Sequence, residues 1–131
     1  MKSHSFSRII ALTVLASRFS VPVQAGDTLA DLDNILRLRE HRRNPDIIRA
    51  CESFLESHQK SAVDATVRFY HAKALFDSKK YPASIAAVGE LLAKHPATDL
   101  LEVSVMLRGE GYRMLRKYEE SIPDFRRARE L

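Results

Sequence analysis

The chain has no tryptophan, one cysteine, four glycines and five prolines among its 131 residues. A single thiol excludes a disulfide framework and a cysteine-rich zinc module. So few glycines and prolines exclude collagen-like or low-complexity sequence. No apolar run approaches the roughly 20 residues of a membrane-spanning helix, and neither a phosphate-cradling glycine loop nor a nucleophile elbow is present. Acidic residues are missing from the first 26 positions altogether. What remains, 45% hydrophobic and 29% charged, is the balance of one folded domain of moderate size.

The acid-free start explains a pI near 9.4. Lys2, Arg8 and Arg18 precede every carboxylate, and without residues 1–25 the chain carries 18 basic against 17 acidic side chains. The basic pI is then no sign of a nucleic-acid partner. Lys2 and Arg8 precede an apolar run, Ile9 to Ala16, and Val23-Gln24-Ala25 offers small residues to a signal peptidase after Pro22. A secretory signal peptide over 1–25 follows, with an exported, periplasmic or secreted product and no integral span after cleavage. The serines at 3, 5, 7, 17 and 20 leave a mitochondrial transit peptide as the alternative.

Beyond the leader the chain repeats every 37 residues. Asn44-Pro45-Asp46-Ile47-Ile48 falls on Tyr81-Pro82-Ala83-Ser84-Ile85 and then on Tyr118-Glu119-Glu120-Ser121-Ile122; Leu55 falls on Leu92 and His58 on His95. Ile48, Cys51, Phe54 and Leu55 lie at helical spacing, as do Ile85, Val88, Leu91 and Leu92. A second helical segment precedes each of the last two, over 65–78 and 103–115, across polar stretches brief enough only for a tight antiparallel turn. Pro45 and Pro82 sit at a helix start, where a missing N–H is tolerated. Pro123 predicts a short last helix that begins with Ser121 as its cap.

Gly109-x-x-Tyr112-x-x-x-x-x-Tyr118-x-x-Ser121-Ile122-x-x-Phe125-x-x-Ala128 resembles the tetratricopeptide repeat. A second copy follows with Ala72, Leu75, Tyr81, Ser84, Val88 and Pro96, and a degenerate first one with Ile35 and Asn44. The resemblance implies an all-α superhelix, a solenoid of about three helix hairpins, over residues 26–131, with repeats near 28–61, 65–98 and 102–131. Small residues suit the close crossing of a hairpin, which Ala72 and Gly109 satisfy and Ile35 does not. Tyr81 and Tyr118 are expected to wedge between successive hairpins. Where the family prefers Trp and Leu, Arg68, His71, Val105 and Arg108 stand, so looser packing is expected there. Arg42, Lys79 and Arg116 occupy the usual turn glycine, at about 1 kcal/mol each if φ is positive. The pattern stops at Leu131 on an apolar face, which calls for a cap, a partner or an oligomer, unless the chain is a piece of a longer protein.

Candidates for chemistry are few. His58 and His95 close apolar helices, where a cation suits the helix dipole. His41 and His71 have no second ligand at helical spacing, so no metal site is expected. Cys51 takes the place of Val88 and Phe125 and reads as a small buried hydrophobe. No catalytic residue and no cofactor follow. The run Arg37-x-Arg39-x-His41-Arg42-Arg43, with Arg126, Arg127 and Arg129, reads as a solvated face that could otherwise meet an acidic segment, anionic lipid or nucleic acid, the last disfavoured for want of interleaved aromatics. The resemblance places the functional surface on the inner groove lined by each first helix: Thr66, Phe69, Lys73 and Phe76, then Val103, Met106, Glu110 and Arg113. Phe69 and Phe76 could equally pack inside their hairpin. Tyr70 and Leu107 stand where chaperone-binding clamps carry Asn. The expectation is a non-catalytic protein-interaction scaffold that holds a partner peptide or protein in the groove, with self-assembly through exposed terminal helices, a homo-oligomer, as the alternative.

Overall fold

In the computed structural model, which describes residues 25–131, six α-helices follow one another and no strand occurs among the described residues. They are α1 (Ala25–Glu40), α2 (Asn44–Ser57), α3 (Asp64–Asp77), α4 (Tyr81–Lys94), α5 (Leu101–Met114) and α6 (Tyr118–Glu130). Each packs on its neighbours in sequence, and the one substantial non-sequential pairing is α3 with α5. The chain is all-α. Residues 1–24, nearly the whole of the expected leader, lie outside the described residues, and α1 extends upstream of Thr28.

The 37-residue period is written into the backbone. Arg42, Lys79 and Arg116 have φ of 52°, 60° and 59°, the left-handed region. After each of them the next amide reaches back to the helix it has left: Arg43 to the Leu38 carbonyl at 3.1 Å, Lys80 to Leu75 and Lys117 to Tyr112 at 2.9 Å. The left-handed residue's own amide bonds three residues back, to Arg39, Phe76 and Arg113. These are three Schellman turns in register, closed without glycine. The longer connections match too. Ser61 and Thr98 accept from the amides of Val63 and Leu100 at 3.3 and 3.2 Å, and His58 and His95 cap the Phe54 and Leu91 carbonyls at 2.8 Å. Lys60, with φ 64°, has no left-handed counterpart at Ala97.

The three hairpin crossings differ in what fills them. In the first, Ile35 and Ile47 are both buried. Ala72 and Ser84 take those places in the second, where the Ser84 hydroxyl donates to the Ala72 carbonyl at 2.8 Å. Gly109 and Ser121 take them in the third, and a Cβ built on Gly109 would lie 2.9 Å from Phe125 Cε1. Ile35, Ile47, Ile48, Cys51, Phe54, Val67, Ala74 and Leu75 form the main core; Ala72, Val88 and Leu107 form a smaller one.

Pro123 does not shorten the last helix. α6 starts at Tyr118, with Pro123 inside it, and Ser121 is no cap: its hydroxyl donates back to the Tyr118 carbonyl at 2.9 Å. The proline lacks only the amide that would bond Glu119, and both residues are exposed, so water can serve that carbonyl. The Tyr81 ring lies edge-on to Phe76 at 5.1 Å, a contact inside its own hairpin rather than the expected wedge between successive hairpins, and Tyr118 is 56% exposed, with no described helix after α6.

Candidate functional site

The expected looseness around Arg68 and Arg108 is replaced by ion pairs. Arg108 grips the buried Asp124 through two hydrogen bonds, Nε at 2.8 Å and Nη2 at 2.7 Å, joining α5 to α6, and these raise the affinity of the guanidinium for its proton. Arg68 donates to Asp64 at 2.6 Å, one turn away on α3. His95, from the end of α4, reaches the same carboxylate oxygen at 2.6 Å. Burial pushes the Asp64 carboxyl up, but the hydrogen bonds from His95 and Arg68 outweigh it and hold it below the ordinary 3.8. Its contribution to stability is therefore complete above that value and lost as pH falls through the lower folded one.

His58 does for the first hairpin what His95 does for the second. Its Nε2 lies 2.6 Å from Asp31 and its Nδ1 3.1 Å from the Thr28 hydroxyl, with the ring against Phe54. Both histidines thus tie the end of a second helix to the start of the first by a carboxylate, beyond the dipole role the sequence suggests. Burial pushes the Cys51 thiol up to about 12, which leaves it un-ionised and unreactive at neutral pH. Among the described residues no cluster of three or more His, Cys, Asp and Glu side chains could hold a metal ion. No described helix is long and apolar enough to cross a membrane.

A concavity lies between the end of α1, the turn after it and α3. This cleft of about 520 Å³ is lined by Arg39, Arg42, Asn44, Tyr70, Lys73 and Asp77, among others. The basic run that looked like one solvated patch is divided here. Arg37 pairs with Asp33 at 3.3 Å and Arg43 with Asp46 at 2.7 Å, on the outside. Arg39 instead lies 3.7 Å over the Tyr70 ring, and Arg42 faces the cleft from its left-handed turn. Among the described residues neither has a carboxylate partner. The one acid of the lining, Asp77, is taken by Lys73 at 2.5 Å. Two guanidiniums are left for an anionic group, with Arg39 already held by its stacking on Tyr70.

The expected groove residues are distributed unevenly. Lys73 enters the cleft. Phe69 and Phe76 are half-buried and packed against the small core of Ala72, Val88 and Leu107, and the Lys73 ammonium lies 5.8 Å from the Phe76 ring. On α5, Met106 and Val103 are 45% and 44% exposed, beside Glu110 and Arg113, which pair at 2.7 Å. The structure therefore does not gather the six into one pocket. Arg39, Arg42 and Tyr70 line this cleft, although sequence reasoning did not count them among the groove residues; the position of the basic run at the end of a first helix was the available signal.

Comparison with family models, with curated proteins and with solved structures gives no match.

Proposed function

We propose that this chain is a non-catalytic interaction scaffold, a solenoid of three tetratricopeptide-like hairpins that holds an acidic segment of a partner protein in its inner groove. The observation that carries it is the cleft beside α3, where Arg39, held over the Tyr70 ring, and Arg42 have no carboxylate partner among the described residues. A carboxylate there would meet bidentate guanidinium donors, and an adjoining apolar side chain would find, farther along the first helices, Met106 and Val103. The Schellman turns and ion-paired hairpins make the scaffold stiff, so the partner bears most of the ordering entropy. The leader composition supports export, which places the partner in the cell envelope or outside the cell.

The test is capture from an envelope extract by immobilised chain without residues 1–25. Wild type should retain a specific protein, and Arg39→Ala with Lys73→Ala should release it, as should moderate salt. Retention untouched by both changes would overturn the cleft as the site. Exposure of Leu29 (66%) on α1 and Ile122 (52%) on α6 favours the second reading, self-assembly through terminal helices. Sedimentation of the same sample decides it: a concentration-dependent oligomer that captures nothing supports assembly.

A further inference from the structure

The outer face of α6 repeats a surface that α2 and α4 turn toward the next first helix. On α2, Ile48 packs in the same core as Ala74 of α3. One period on, Ile85 of α4 lies so close to α5 that a Cβ on Gly111 would stand 2.9 Å from its Cγ1. The second helix thus sets Ile85 against a glycine of the next first helix, and one period earlier Ala74 holds the position equivalent to Gly111. Another period on, Ile122 and Tyr118 are 52% and 56% exposed, and no described helix covers them. The rest of the face has become basic. Glu52 of α2 reaches across to His71 of α3 at 3.2 Å, and Leu55 lines the same cleft as Arg68. Arg126 and Arg129 stand in the places of Glu52 and Leu55, exposed and without a carboxylate partner among the described residues.

We propose that this face docks a helix of a partner protein, antiparallel to α6, with Gly or Ala opposite Ile122 and Asp or Glu three and six residues before it. The small residue follows from Gly111, which stands against Ile85, and from Ala74, its equivalent one period earlier in the core that holds Ile48. The acids follow from charge complementarity: the positions of His71 and Arg68 are those that would face Arg126 and Arg129. A second copy of the chain, stacked head to tail, fits poorly. Its α1 would set Arg37 against Ile122, Asn34 against Arg126, and Asp31, already bound to His58, against Arg129. The surface is distinct from the cleft at Arg39, so the two stand or fall separately.

The probe is a fluorescent, helix-locked peptide of the α3 sequence, Asp64 to Asp77, carrying R68E and H71E, titrated with the chain by anisotropy. Binding should weaken at least tenfold for the unaltered α3 peptide and for an A74L version. The chain variant R126E with R129E should lose the acidic peptide and gain the unaltered one. Both arginines are exposed, so the variant should fold, which its circular dichroism checks. Arg39→Ala with Lys73→Ala should leave this binding unchanged. Equal binding of acidic and unaltered peptides, no binding at millimolar peptide, or a sedimenting polymer that Ile122→Lys disperses would each overturn the proposal, the last in favour of a second copy.

Discussion

The first and third hairpins have the same turns and the same period but are held together by different chemistry. Around α1, α2 and α3 the interior is apolar and bulky, with Ile35, Ile47 and Phe54 filling the space between helices. Between α5 and α6 the same places hold Gly109 and Ser121, and the bond across them is the Arg108–Asp124 ion pair. A repeat backbone thus tolerates two solutions. Large side chains set the helices apart and bury more apolar area, while glycine lets them approach until polar groups can meet. The first solution is general in its demand for volume; the second depends on particular atoms.

That contrast predicts different sensitivities. The largest loss should come from Phe54→Ala, since the ring is fully buried in the main core and contacts His58 at 4.5 Å between centroids. About 3 to 5 kcal/mol should go, read from the denaturant midpoint. A loss under about 1 kcal/mol would mean that the apolar core around α2 is not what holds the first half together.

Next in size is the glycine pair. Gly109→Ala puts a methyl 2.9 Å from the Phe125 ring and 3.2 Å from Asp124 Cβ, so the ring and the ion-paired helix must both move. About 2 kcal/mol of destabilisation is expected. Gly89→Ala meets nothing within 4 Å and should instead stabilise by up to about 1 kcal/mol through helix propensity. Opposite signs in thermal melts of the two variants would confirm close approach as the principle of the third hairpin; equal signs would remove it.

How much of this was legible in the sequence follows the same line. Helical periodicity, the positions of Pro45 and Pro82, and the register of the repeat are local, and they give the helices and their order. The turns at Arg42, Lys79 and Arg116 drew notice because the resemblance puts a glycine there, but their left-handed φ was only a condition in the sequence reading and is seen in the structure. Arg108 looked like a packing fault because its partner, Asp124, lies on another helix and carries no spacing signal. Pro123 misled because a proline so near a helix start, on the water side, leaves only one carbonyl to solvent. Arg39 and Arg37 are indistinguishable in one run; only the placement of Tyr70 against Arg39 separates cleft from exterior.

The smallest effect sharpens the comparison most, because it concerns what the hairpins share. Replacing Lys79 or Arg116 by Gly relieves a left-handed side chain, worth about 1 kcal/mol, against a few tenths lost to the freer unfolded chain and the helix dipole. A net gain of about 0.5 kcal/mol each, additive in the double variant, is expected from thermal melts. Arg42→Gly should gain as much stability, since its φ of 52° matches theirs. It alone removes a cation from the cleft, so it alone should also weaken partner capture. Stability rising while capture falls at Arg42, with capture unchanged at Lys79 and Arg116, would mean that the first turn forgoes glycine for the sake of its charge. If all three behave alike in both assays, the basic residues at these turns serve the helix ends and nothing more.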